Sequence, residues 1–268
     1  MRTITSQELI ELHNKMQVIG KDSILAYIKD DTKAEGVPLL FFIERNTMNL
    51  VLADEPLERV PGCIKLLTRY LDTNSERHVT SNRHIKLLGF GGVKDFTCFF
   101  TNMNFRSIDL SDTNFSSAVT LNKMFQYCSI DEVYMGVIKN SCLRDISEMF
   151  CNSKIGFIDS IHIESPKLNT VKAMFKLSTI GTSLDLTNLN TESVIDFSYM
   201  FSQSNIIGDL DISSFKIKNN ADLTEMFNRA IIKKNTYEFI KDPRLLDMFS
   251  KKLVILNQNA DRMQLIEK

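Results

Sequence analysis

Tryptophan is absent from this 268-residue chain, and histidine occurs only at His13, His78, His84 and His162. The histidines are scattered, and no cysteine or acid completes a metal set at useful spacing, so no metal site is expected. Cysteine is sparse and odd in number: Cys63, Cys98, Cys128, Cys142 and Cys151, with no Cys-x-x-Cys pair. That excludes a disulfide framework and a zinc ribbon, and it implies free thiols in a reducing compartment. Long apolar runs are missing too; none approaches the roughly 18 residues of a membrane helix. The opening residues are charged where a signal peptide would carry its apolar core. The expected location is therefore cytoplasmic, with no membrane span, and the extracellular surface is the alternative. A net charge of −1 gives no global attraction to nucleic acid or membrane. The glycines Gly89, Gly91 and Gly92 complete neither a phosphate loop nor a dinucleotide fingerprint, so no cofactor is expected.

What is present is an ordinary globular composition, 43% hydrophobic and 24% charged, carrying a rhythm. Phe100, Phe125, Phe150, Phe175, Phe201 and Phe227 follow one another at 25, 25, 25, 26 and 26 residues. Five of them come after a methionine: Met124, Met149, Met174, Met200 and Met226. A period of this length marks a stack of supersecondary units, none of which buries its apolar face alone. The clearest units read Leu184-Asp185-Leu186 ahead of Val194, Phe197, Met200 and Phe201, then Leu210-Asp211-Ile212 ahead of Phe215, Leu223, Met226 and Phe227. Alternation in the first part predicts a half-buried strand. Apolar spacing of three and four in the second predicts a short helix. The rung at 155–166 is irregular, because Ile158, Ile161 and Ile163 do not share one register, and a bulged or displaced strand is expected there.

Residues 1–75 lack the rhythm and read as a small α+β unit. Ser6 is a candidate N-cap for a helix that breaks near Gly20 and continues through Ile24, Leu25, Tyr27 and Ile28. Pro38–Glu44 and Met48–Ala53 predict a hairpin turning at Arg45–Thr47, and 57–71 predicts an amphipathic helix. The solenoid is expected over 76–229, and 230–268 reads as a helical cap over its open apolar end.

The motif of 184–227, with Leu184-Asp185-Leu186, Val194 and Met200-Phe201 and then Leu210-Asp211-Ile212 and Met226-Phe227, resembles the BspA-like leucine-rich repeats. The resemblance is strong over 176–227 and fair over 96–175. It implies an α/β fold, a leucine-rich-repeat-like solenoid of strand plus short helix rungs. It also implies a binding role without enzymatic activity, as for surface proteins that bind other proteins.

Residues that point away from the core form the candidate partner-binding face. Asp109, Asp185 and Asp211 share one position between apolar strand residues; Tyr134 takes it in another rung, with Glu132 two residues before. His162 belongs to the same candidate face. One reading is a mildly acidic surface for a basic or polar partner, since 95–230 holds 16 acidic against 11 basic residues. The other is that these acids bond Ser, Thr and Asn on adjacent rungs. A ladder of like carboxylates lacks the two contrasting environments that acid–base catalysis needs, so no catalytic residue is expected. The leading functional expectation is a non-enzymatic protein-binding solenoid inside the cell. An effector or inhibitor that occludes a host protein, in a phage or mobile-element setting, is one form of it. A surface adhesin is the alternative. Nucleic-acid binding through Lys233, Lys234, Lys241, Arg244, Lys251 and Lys252 is a third reading.

Overall fold

A computed structural model describes residues 3–30, 33–62, 83–232 and 240–249. The chain opens with helix α1, Ser6–Val18. Its N-cap is Thr5, one residue before the expected Ser6: the Thr5 side chain accepts from the Glu8 N–H while Glu8 reaches back to Thr5. This reciprocal pair satisfies two of the first-turn donors that no helix can satisfy internally. The expected continuation of the helix past Gly20 is not formed. Ser23–Asp30 is instead strand β1, antiparallel to β2, Lys33–Glu44. Apolar side chains fall on both sides of Ser23-Ile24-Leu25-Ala26-Tyr27-Ile28, and pairing with β2 decides between two local readings. Arg45 and Asn46 (φ 48° and 70°) make the tight turn into β3, Thr47–Leu52. The predicted hairpin is thus present, its first strand longer than expected.

From β3 onward the chain coils in one sense, each strand pairing in parallel with the next. β3 pairs with β5 (His84–Gly89), then follow β7 (Asn104–Asp109), β8 (Ser129–Tyr134), β10 (Lys154–Ile158), β12 (Thr179–Ile180), β14 (Asn205–Ile206) and β16 (Ile231–Ile232). With β1 and β2 these make one sheet of ten strands, continuous from the hairpin into the repeats. A second run uses shorter pairs: β4 (Leu57–Arg59) with β6 (Val93–Asp95), β9 (Val137–Lys139) with β11 (His162–Glu164), and β13 (Leu184–Asp185) with β15 (Leu210–Asp211). Leu57–Arg59 is therefore strand where helix was expected, and 63–71 lies outside the described residues.

The expected helix in each rung is absent from every described rung. Around each recurring phenylalanine the backbone makes a flat corner instead. Residues two before and two after it are left-handed: Lys123 and Tyr127 (φ 56° and 59°) flank Phe125, and Tyr199 and Gln203 (59° and 57°) flank Phe201. A helix would send each N–H to a carbonyl four residues back. Here alternate N–H groups leave the rung: Phe100, Phe125, Phe150, Phe175 and Phe201 donate to the carbonyls of Met124, Met149, Met174, Met200 and Met226 at 2.8–2.9 Å. The intervening groups close three-residue turns, as Met200 N–H does onto Phe197 O at 3.1 Å. Those turns bring Phe197, Met200 and Phe201 to the same inner side, which is why the spacing mimics a helix.

All six phenylalanines are buried, and their rings stack along the solenoid. Successive centroids are 5.2, 5.2, 5.4, 5.7 and 5.3 Å apart with interplanar angles of 9° or less. Those spacings exceed the roughly 4.8 Å between strands, so the rings sit offset, the favoured aromatic geometry. The irregular rung also resolves. Ile158 ends β10, Ile161 lies in the bend, and Ile163 lies in β11; all three are buried because the chain turns a corner between them. Residues 243–249 form a helix whose Phe249 packs edge-on against Phe227, 5.6 Å between centroids.

Candidate functional site, an acidic and aromatic strand face

The outward face of the ten-stranded sheet gathers three of the six candidate residues, Asp109, Glu132 and Tyr134. Register sets Lys86 opposite Asp109 and Asp109 opposite Tyr134. Ser107, Glu132 and Phe157 form the neighbouring row. Tyr134 donates its hydroxyl to Glu132 Oε2 at 3.1 Å, and its ring lies 6.0 Å from that of Phe157 at 55°. Both rings are more than a third exposed, at 38% and 39%. Asp159 follows Ile158, which pairs with Val133, and so stands beside Tyr134. It accepts from the Met135 N–H at 2.9 Å. Asp185 lies in β13, in a separate two-stranded sheet, and faces Asp211 there.

The sequence expectation that ladder acids bond hydroxyls on adjacent rungs is corrected. Each bonds within its own rung, two residues on. Asp109 Oδ1 accepts from Ser111 N–H and Oγ–H (2.9 and 2.5 Å), Asp185 from Thr187 (2.8 and 2.6 Å), and Asp211 from Ser213 N–H at 2.9 Å. These are Asx turns, and they turn the chain out of the strand using one carboxylate oxygen. A second column not recognised in the sequence repeats the device before each phenylalanine corner. It runs Asp95, Thr120, Asp145, Thr170, Asp196 and Asp222, bridged rung to rung. The signal was the recurring Asp-x-Ser or Asp-x-Thr, replaced at Thr120 and Thr170 by a threonine hydroxyl in the acceptor role.

Electrostatically the two ends of the face differ. Lys86 neutralises the first rung, donating to Asp112 at 2.7 Å and pairing with Asp109 at 3.3 Å; the bond to Asp112 raises its ammonium pKa. Burial works to raise the Asp109 carboxyl, but Ser111 and Lys86 together outweigh it and hold it below its usual value. Further along, no described residue forms an ion pair with Glu132, Asp159, Asp185 or Asp211. Partial burial raises the Asp159 carboxyl against the pull of the Met135 and Gly136 N–H groups, and the nearby Asp109 charge adds to the rise. The bond to Glu132 raises the Tyr134 phenol.

His162 is not brought into this group. It lies in β11 opposite Val137, on the second run, and bonds Glu164 at 2.7 Å. Asp185 and Asp211 share their own two-stranded sheet, whereas Asp109 belongs to the long one. Phe157 and Asp159 were missed by sequence reasoning; Phe157 could have been found as an aromatic at the outward position that holds Ser107 and Glu132 in neighbouring rungs.

Of the six basic tail residues, Lys233, Lys234, Lys251 and Lys252 lie outside the described residues, and Lys241 is exposed. Arg244 is committed internally. Its guanidinium bonds Asp242 at 2.9 Å and the carbonyls of Ile217 and Lys218 at 2.7 and 2.8 Å. Two buried thiols are not activated: burial pushes Cys128 up to about 12 and also raises Cys151. Among the described residues, no group of three or more His, Cys, Asp and Glu side chains could hold a metal ion. No helix among them is long and apolar enough to cross a membrane.

Residues 144–250 match a family described as Mycoplasma protein of unknown function, DUF285. The match covers less than half of the chain and spans the rungs from Arg144 onward. No curated protein and no solved structure matches the chain.

Proposed function

We propose that this solenoid is a non-enzymatic binding protein and that the strand face around Tyr134 and Phe157 receives a basic protein partner. One observation carries the reading. Two exposed aromatic rings stand beside Glu132 and Asp159, and Asp185 faces Asp211 on a separate two-stranded sheet; none of these four carboxylates forms an ion pair among the described residues. Stacked like charges destabilise a fold by about 1 kcal/mol per close pair in water, so an array of them is a cost that a cationic partner relieves. Aromatic side chains held in place are the usual energetic anchors of interfaces, and the bond from Tyr134 to Glu132 holds that ring. A solenoid offers such a partner an extended surface rather than a pocket.

The finer form of the proposal is an effector or inhibitor acting inside the cell, which occludes a host protein by covering it. The likeness to BspA-like repeats supports the adhesin alternative on motif alone. Nucleic-acid binding through the tail loses Arg244 as a contact, since its donors are engaged. The test is affinity capture from a lysate of the source cell by the wild-type chain and by Tyr134→Ser/Phe157→Ser, followed by mass spectrometry. A stoichiometric basic protein retained by the wild type and lost by the double variant is the expected result. No stoichiometric partner, or one retained equally by both, would overturn the proposal.

A further inference from the structure

The face around Tyr134 and Phe157 carries a pattern more specific than negative charge. Glu132 and Tyr134 lie two apart on β8, and Phe157 and Asp159 lie two apart at the end of β10. Register sets Phe157 opposite Glu132 and brings Asp159 beside Tyr134. Ring and carboxylate therefore alternate both along and across the strands, so each ring has an acid on two sides. The rings touch, 6.0 Å between centroids and 55° apart, and leave no slot between them. Their free surface is outward, where both are more than a third exposed. Beside Phe157 no side chain can stand at Gly156 or Gly181, because a Cβ there would lie 2.6 Å from the carbonyl oxygen of Asp131 and of Gly156 respectively. The flank of that ring stays open.

The two acids are held in position. Glu132 accepts from the Tyr134 hydroxyl on Oε2 at 3.1 Å, which fixes the ring, and its Oε1 accepts from no described residue. Asp159 Oδ1 accepts from the Met135 N–H at 2.9 Å. No described ion pair includes either carboxylate, and the Lys86 ammonium is engaged with Asp109 and Asp112. Nor does a described cation lie over either ring. Elsewhere the chain covers a ring itself: Lys176 Nζ stands 5.0 Å from the centroid of Tyr199. Aromatic surface bordered by two carboxylates matches a cation that is both planar and a multiple donor. A guanidinium is both: it is weakly hydrated, stacks on an aromatic face and presents its N–H groups in a fork. An ammonium donates as well, but it is compact and strongly hydrated and has no flat face to stack.

We propose that this alternating patch binds an arginine side chain of the partner, its guanidinium flat on Phe157 and its N–H fork on Glu132 and Asp159. The assignment rests on the basic-partner reading of the same face and names the residue that anchors it. The test is fluorescence anisotropy with two short dye-labelled peptides, one alternating arginine with serine and the other lysine with serine, at physiological salt. The wild-type chain should bind the arginine peptide about fivefold tighter than the lysine peptide, the difference one exposed cation–π contact implies. Tyr134→Leu/Phe157→Leu keeps apolar bulk but removes both rings, and it should bind the two peptides equally. Phe157→Leu alone, which breaks no hydrogen bond, should lose most of the preference. Thermal melting confirms that both variants are folded. Equal binding of the two peptides by the wild type, a preference that survives in the double variant, or no saturable binding of either peptide would overturn the arginine assignment. Capture of a basic protein by the wild type and not by Tyr134→Ser/Phe157→Ser would in each of those cases leave the broader reading standing, so the two fail separately.

Discussion

Two columns run the length of the solenoid, and they are built on opposite rules. In the corner column every rung repeats the same residue in the same pose: buried phenylalanine, rings within 9° of parallel, left-handed residues on either side. On the strand face the same register position changes at each rung, from Lys86 to Asp109 to Tyr134, with Ser107, Glu132 and Phe157 alongside. The corner repeats because one geometry must fit its copy above and below. The face is free of that demand, so its side chains are available for recognition. The invariant and the variable positions are therefore separable here by column, and substitutions in each should behave differently.

The largest expected effect is in the corner. Phe175→Ala removes a ring stacked between Phe150 and Phe201 and should cost about 3 to 5 kcal/mol, measured by denaturant unfolding. A loss under about 1 kcal/mol would mean that the stack is not the core. Next is Arg244, whose half-exposed guanidinium ties 240–249 to the last rung. Arg244→Ala should cost about 1.5 to 3 kcal/mol, the range for hydrogen bonds to a charged group, discounted toward its lower end by solvent. If it acts on nucleic acid instead, stability will hold while binding falls. Smaller still is relief of backbone strain. Arg229→Gly at φ 50°, an exposed position, removes a left-handed cost of about 1 kcal/mol, partly offset by the freer unfolded chain, so a gain of a few tenths is expected. A helix at this position would instead lose stability with glycine.

The smallest effect is a pH dependence on the strand face. The Asp159 carboxyl is raised above its ordinary 3.8 in the folded state, so the native state binds that proton more tightly than the unfolded chain. Its contribution to stability is present below pH 3.8 and is lost as pH rises through the folded value. Asp159→Asn should therefore melt slightly higher than wild type at pH 7, with the advantage vanishing toward pH 3. Asp109, held below 3.8, has the opposite sign: its contribution is present above that value and lost on acidification. Equal melting curves of wild type and Asp159→Asn at pH 7 would remove burial as the cause.

The sequence carries the period, the Met–Phe pairs and the outward position of Asp109, Tyr134, Asp185 and Asp211, because each repeats and repetition needs no tertiary context. It misses what neighbouring rungs decide. The helix expected at Phe197–Phe201 fails because each corner sends alternate N–H groups to the next rung, a partner that no single rung reveals. Ser23–Asp30 becomes strand rather than helix because β2 is beside it. Phe157 and Asp159 escaped because significance on this face lies in contrast with the rungs on either side, not in a motif. His162 shows the converse: one bend in the chain carries it to another run.

The most direct test of the separation between columns is Asp185→Lys/Asp211→Lys, with partner capture and melting temperature measured on the same preparation. These carboxylates face one another on adjacent strands and form no ion pair among the described residues. The account predicts loss of the captured partner with a melting temperature within a few degrees of wild type. Retention of the partner, or unfolding of the solenoid by the reversal, would contradict it.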